Sequence, residues 1–177
     1  DGPSNWYKNL GNGTFDPIGI PIEPEPASSV AAGNFNGDSL PDLVFGRLEI
    51  GASGLPSNPV YLNLGSGMFQ SVDPLGASST IDVLTGDINF DGFIDIVTFN
   101  TTGAHQIYTG TGTGAFNLHP EQFSSPNATW SALGSFSTDA RLDLAVSGLD
   151  GSNIFLNDGL GNLGLGDIQP PVISLLG

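Results

Sequence analysis

A tandem unit recurs along this chain, and its period constrains the fold more than any single motif does. The clearest copy is Gly86-Asp87-Ile88-Asn89-Phe90-Asp91-Gly92-Phe93-Ile94-Asp95-Ile96-Val97. Asp87, Asn89, Asp91 and Asp95 stand at loop positions 1, 3, 5 and 9, and Phe93 at position 7 can offer only its backbone carbonyl. Gly92 at position 6 permits the bend that turns those oxygens toward one centre, as in an EF-hand-like calcium loop. Position 12 is Thr98 and not a bidentate Glu. The loop runs straight into Ile96-Val97-Thr98-Phe99, which reads as a strand and not as an exiting helix. For one copy, an acidic turn whose Asp and Asn bond their own backbone is an equal alternative. The stretch, however, occurs three times, opening at Gly33, Gly86 and Gly134.

A strand, a tight glycine turn and a second strand alternate with these loops. The aromatic anchors of that unit are Tyr7, Tyr61, Tyr108 and Phe155, spaced 54, 47 and 47 residues apart. Strand candidates at 29–32, 81–85 and 130–133 precede the three loops. Each repeat therefore reads strand, calcium loop, strand, connector, strand, tight turn, strand. Four strands in roughly 40–50 residues is the period of a propeller blade. The expected fold is all-β, with propeller-type blades of four antiparallel strands and calcium loops between first and second strands. About three and a half repeats make a single domain over 1–177. They are a half repeat at 1–26, repeats at about 27–75, 76–124 and 125–169, and a C-terminal strand at 170–177. Proline-containing connectors separate the repeats, and helical periodicity is nowhere visible.

These residues resemble the FG-GAP/VCBS repeat family, the repeats of integrin α-subunit propellers and of many secreted proteins. The matching features are the Asp-rich loops after Gly33, Gly86 and Gly134, and the Tyr-Leu-Asn-x-Gly-x-Gly-x-Phe unit around Tyr61. The resemblance implies calcium as cofactor, held in the second loop by Asp87, Asn89, Asp91, the Phe93 carbonyl and Asp95. In the first loop it implies Asn34, Asn36, Asp38, the Leu40 carbonyl and Asp42, with Ser39 where the family usually has Gly. In the third it implies Ser135, Ser137, Asp139, the Arg141 carbonyl and Asp143. That third loop departs most, with serines at two ligand positions, Ala140 in place of Gly, and a positive charge at Arg141. The family serves adhesion, sugar binding and scaffolding alike, so the resemblance does not choose among them.

Charge narrows the choice. Eighteen acidic residues face three basic ones, Lys8, Arg47 and Arg141, for a net charge of −15. Phosphate backbones and anionic membranes are poor partners for such a chain, and no apolar run is long enough to insert into a bilayer. With no Cys there is neither a disulfide nor a thiolate, and bound metal is left as the staple. The chain opens at Asp1 without an apolar leader, as expected of a mature or trimmed product.

Other signals are weaker. Gly159-Leu160-Gly161-Asn162-Leu163-Gly164 matches GxGxxG, but no helix pattern comes after it to hold a phosphate. His105 and His119 read as surface histidines on connectors, with no nucleophile motif to serve. Nothing selects a glycosidase pair among the many carboxylates. Asn12, Asn100 and Asn127 open glycosylation sequons. Trp6 and Trp130 read as packing between blades, the sharper alternative being a Trp that stacks on a sugar ring.

The leading expectation is a non-enzymatic, calcium-stabilised extracellular or cell-surface module for adhesion or structural assembly. The alternatives are a lectin-like propeller that binds carbohydrate and an accessory domain of a larger secreted hydrolase. The chain begins at the third strand of a repeat, and Val172-Ile173-Ser174-Leu175-Leu176 comes after the last hairpin. Pairing of these two ends, in a ring or end to end with another copy, makes the protein its own expected partner, the alternative being a segment cut from a longer propeller. Another extracellular protein is the other expected partner.

Overall fold

The computed structural model of the protein describes residues 2–48, 57–76, 78–101, 104–125, 127–149 and 151–165. Fourteen strands and no helix occur among them, arranged in four antiparallel sheets. Sheet I holds β1 (Ser4–Trp6) and β2 (Ile20–Glu23). Sheet II holds β3 (Ser29–Gly33), β4 (Asp42–Gly46), β5 (Val60–Gly65) and β6 (Met68–Ser71). Sheet III holds β7 (Thr80–Gly86), β8 (Asp95–Asn100), β9 (His105–Gly110) and β10 (Phe116–Phe123). Sheet IV holds β11 (Ala128–Gly134), β12 (Asp143–Gly148), β13 (Gly151–Asn157) and β14 (Leu163–Leu165). In sheets II to IV the strands pair in sequence order, as consecutive hairpins should.

The alternation of β8 explains how the sheets stack. All six of its residues are buried. Ile96 packs with Phe35, Val44 and Val60 of sheet II, whereas Val97 and Phe99 pack with Leu144, Val146 and Phe155 of sheet IV. A strand with both faces apolar must be covered on both sides, so sheet III lies between II and IV. First strands meet along one side: β7 contacts both β3 and β11. Asp82 on β7 accepts the Ser29 hydroxyl of β3 at 2.7 Å and the Ser131 hydroxyl of β11 at 2.6 Å. The second residue of each of the first two loops is inserted into the next sheet. Phe35 meets Phe116 edge to face at 5.3 Å, and Ile88 is wholly buried in the cluster shared with sheet IV.

Sheet I is the half repeat, and it is tied to sheet II by a buried polar triad. Glu23 on β2 pairs with the Arg47 guanidinium and accepts the Tyr61 hydroxyl at 3.0 Å. Burial and the Glu23 carboxylate push the Tyr61 hydroxyl up to about 12. Removing either charged partner would leave the other buried without its counter-charge.

Two expectations need correction here. His105 is buried, not on the surface: its ring Nδ1 accepts the Asn100 N–H at 3.1 Å, so Nε2 carries the proton and faces the Ser125 carbonyl at 3.2 Å. Trp130 is not between sheets but exposed on β11. The expected strand at 170–177 lies outside the described residues.

Candidate functional site

The three Asp-rich loops connect first and second strands, β3 to β4, β7 to β8 and β11 to β12. Their ninth residues have one geometry throughout. Asp42, Asp95 and Asp143 are wholly buried. One oxygen of each accepts N–H groups near the loop start: Phe35 at 2.7 Å for Asp42; Ile88 at 2.8 Å and Asn89 at 3.2 Å for Asp95; Phe136 and Ser137 at 2.9 Å for Asp143. The other oxygen accepts the N–H of the third strand, from Asn63 at 2.8 Å, Gly110 at 2.8 Å and Asn157 at 3.0 Å. Each carboxylate is thus a staple joining loop, second strand and third strand. Burial pushes the Asp95 carboxyl up, and its three backbone donors oppose that rise.

The remaining loop oxygens turn inward on their own backbone. In the second loop Asp87 accepts the N–H groups of Asp91 and Gly92 at 3.1 and 2.9 Å. Asn89 accepts the Asp91 N–H at 3.0 Å, and Asp91 accepts the Phe93 N–H at 2.8 Å. The first loop repeats this with Asn34, Asn36 and Asp38, the last accepting the Leu40 N–H at 2.8 Å. Position 6 has a left-handed backbone in all three loops: φ is 89° at Gly92, 69° at Ser39 and 63° at Ala140. The bend therefore survives without glycine, at about 1–2 kcal/mol for each side chain. Gly37 and Phe90 at position 4 are also left-handed (φ 78° and 64°), and Thr138 in the third loop is not.

The donor chemistry of the second loop fits a hard cation such as calcium: two carboxylates, an amide oxygen and the Phe93 carbonyl are on one tight turn. Asp95 is committed to backbone, and among the described residues no three His, Cys, Asp or Glu side chains converge as a metal-binding group. The third loop does not fit. The Arg141 guanidinium sits 3.3 Å from Asp139, and the Ser137 hydroxyl binds the same carboxylate at 2.7 Å. The Ser137 hydroxyl foremost, then the Arg141 N–H and the guanidinium charge, hold Asp139 below the usual carboxylate range. The loop's exposed acid is already neutralised from within. Ser135 is exposed, as are Phe136 and Asp139.

A cleft of about 550 Å³ opens between sheets I and II. Trp6, Tyr7, Lys8, Asn9 and Asn63 line it beside Val30, Leu43, Phe45 and Phe69. Two glycines leave room for its aromatics. A Cβ on Gly67 would stand 2.8 Å from the Trp6 ring, and one on Gly19 2.9 Å from the Tyr7 ring. Asn63 is fixed by donating to the Pro41 carbonyl at 3.0 Å and accepting the Gly65 N–H at 2.9 Å. A smaller cavity of about 350 Å³ is lined by Asn100, His105, Ser125 and Asn127. The sequence suggested Trp6 through its aromatic character. Tyr7 and Asn9 are its neighbours in the chain, but the sequence carried no signal that Asn63 would join them, because sheet packing and not spacing brings it there.

Of the sequon residues, Asn12 is exposed and accepts the Thr14 hydroxyl at 2.6 Å, and Asn127 is exposed with φ 57°. Asn100 departs from expectation. It is buried, its amide nitrogen donates to the Ala104 carbonyl at 2.8 Å, and its oxygen accepts the Thr80 hydroxyl. A glycan on that nitrogen does not fit the folded chain. The Gly159–Gly164 motif is the turn from β13 into β14, and no helix occurs among the described residues.

No family model matches the chain, and no curated protein matches it. Among solved structures, it is similar to an Agrocybe aegerita lectin that specifically recognises non-reducing terminal N-acetylglucosamine. The TM-score is 0.54 at 18% identity, over 89% of this chain and 44% of that one. The present chain therefore spans less than half the length of that protein, and the likeness is one of fold.

Proposed function

We propose that the protein binds carbohydrate, taking a terminal sugar of the N-acetylhexosamine kind in the cleft between sheets I and II. The observation that carries this is the pairing of two aromatic side chains with fixed amides in that cleft, on a fold similar to that of a sugar-recognising lectin. Trp6 and Tyr7 offer flat apolar surface with a polar edge, suited to the C–H face of a pyranose. Asn9, Asn63 and Lys8 offer donors and acceptors at its rim for hydroxyl and acetamido groups. The FG-GAP/VCBS-like repeat pattern and the four stacked antiparallel sheets support propeller-type blades as the frame. Within the same proposal, calcium is structural and belongs to the second loop first, on Asp87, Asn89, Asp91 and the Phe93 carbonyl, and to the first loop next, on Asn34, Asn36, Asp38 and the Leu40 carbonyl, while Asp95 and Asp42 stay bonded to backbone.

A glycan array and titration calorimetry with N-acetylglucosamine test the reading. Binding by the wild-type chain that is lost in Trp6→Ala and weakened in Tyr7→Ala is expected. A chain that retains no glycan, or a Trp6→Ala variant that binds as the wild type does, rules it out.

A further inference from the structure

Two of the fourteen asparagines precede a glycine, Asn12 and Asn36. At such a pair the glycine nitrogen is open to attack the asparagine Cγ, because no side chain on the glycine screens it. The fold treats the two pairs differently at three atoms: the attacking nitrogen, the carbonyl oxygen and the leaving nitrogen.

At Asn36 all three are engaged. The Gly37 N–H donates to Asn34 Oδ1 at 2.9 Å. Asn36 Nδ2 donates to the Asp38 carboxylate at 2.9 Å, and Asn36 Oδ1 accepts the Asp38 N–H at 3.1 Å. Attack there would break the first bond and build negative charge beside the Asp38 carboxylate.

At Asn12 the bonds favour the reaction. Asn12 Oδ1 accepts the Thr14 hydroxyl at 2.6 Å and the Thr14 N–H at 3.1 Å. Both donors sit on the atom that becomes negative when Cγ turns tetrahedral, the arrangement of an oxyanion hole. Neither the Gly13 N–H nor Asn12 Nδ2 has a hydrogen-bond partner among the described residues. Asn12, Gly13 and Thr14 are all exposed, and a Cβ on Gly13 would meet nothing within 4 Å.

We propose that Asn12 is a self-modification site, at which the side-chain amide is lost to water, and that the first loop holds Asn36 against the same reaction. The Gly13 nitrogen gives its proton to solvent hydroxide and bonds to Asn12 Cγ. The Cγ–Nδ2 bond then breaks, and the nitrogen leaves as ammonia with a proton from water. Water opens the five-membered imide that remains. Cleavage of the new Cγ–N bond leaves aspartate; cleavage of the original backbone C–N bond leaves isoaspartate, with the chain running through Cγ. One water is consumed, one ammonia is released, and nothing is oxidised or reduced. The product carries a new negative charge and lacks the acceptor atom of the Asn12 sequon, so glycosylation and amide loss are exclusive fates of one nitrogen. The inference is independent of the sugar reading.

The chain made in a bacterial host, where no glycan competes, is incubated in neutral buffer and followed by peptide mass spectrometry with isoaspartyl methyltransferase labelling. In the folded chain Asn12 should convert at least about fivefold faster than Asn36, and in urea the two rates should converge. Thr14→Val should slow Asn12 about fivefold, as the loss of one net hydrogen bond would, and Thr14→Ser should restore the rate. Asn36 in the same samples is the internal reference, and circular dichroism checks that each variant is folded. Equal conversion of Asn12 and Asn36 in the folded wild-type chain overturns the inference. So does a folded Thr14→Val chain whose Asn12 converts at the wild-type rate.

Discussion

The Asp82 carboxylate of β7 accepts the Ser131 hydroxyl of β11 at 2.6 Å while its other oxygen holds Ser29 of β3 at 2.7 Å. One side chain therefore bridges three first strands. Hydrogen bonds to an ionised group contribute about 1.5–3 kcal/mol each when they are desolvated. Asp82→Ala should lower the urea midpoint by the equivalent of roughly 2–3 kcal/mol, and Asp82→Asn by less. A loss no larger than that of a surface substitution would show that the bridge contributes nothing.

The loop carboxylates should separate into two classes. Asp95→Ala strands three backbone donors in the interior and should cost about 3 kcal/mol or more with or without metal. Asp91→Ala should cost little in chelator and should abolish calcium stabilisation. That stabilisation is about 1.4 kcal/mol per site if Kd is near ~10⁻⁴ M and free calcium near ~1 mM. Differential scanning calorimetry of both variants in calcium and in chelator reads the two effects separately. An Asp91→Ala protein still stabilised as the wild type is would remove the second loop from the metal reading.

Arg141 makes a prediction about stoichiometry. Its pair with Asp139 is open to solvent and adds little to stability by itself. Its presence in the third loop should nevertheless limit calcium to two ions per chain by isothermal titration. Three equivalent ions would contradict the self-neutralised state of that loop.

His105 gives the pH dependence a sign. Burial lowers its folded pKa below the ordinary value of 6.5, so the unfolded chain takes up the proton first. Its contribution to stability is complete above about pH 6.5 and is lost as pH falls through the folded value. Protonation also ends acceptance of the Asn100 N–H by Nδ1. His105→Gln should flatten the stability profile below pH 6.5, as measured by urea melts across that range. An unchanged profile would exclude His105 as the titrating group.

In a secretory eukaryotic host, peptide mass spectrometry should find glycan at Asn12 or Asn127 and none at Asn100. The buried amide of Asn100 already donates to Ala104. Modified Asn100 in folded protein would contradict the placement of that side chain.

The repeat phase was legible in the sequence because glycine turns and aromatic anchors are local signals. They put the first strands and the loops close to where the structure has them, but the partner of β1, expected directly after the Gly13 turn, is Ile20–Glu23, within the stretch that read as a connector. Burial was less legible. His105 looked like a connector residue because its neighbours are polar, and only the packing of Phe99 and Phe123 against its ring encloses it. Trp130 looked like core because large aromatics usually are. Whether a sheet face is covered depends on the next sheet along the stack, which no window of sequence reports. The cleft was least legible, since Trp6 and Asn63 are far apart in the chain and line one cleft only once sheet I packs on sheet II.

The buried ninth-position aspartate has a bearing on how such an array diverges. The staple carboxylates are separate from the exposed side chains at loop positions 1, 3 and 5, so a duplicated unit can change the exposed set by drift and keep its architecture. The third unit shows the separation: Ser135, Ser137 and Arg141 stand where the second loop has Asp87, Asn89 and Phe93, while Asp143 still ties its strands as Asp42 and Asp95 do. Selection can then act on the exposed loop of one unit at a time without disturbing the staple beneath it.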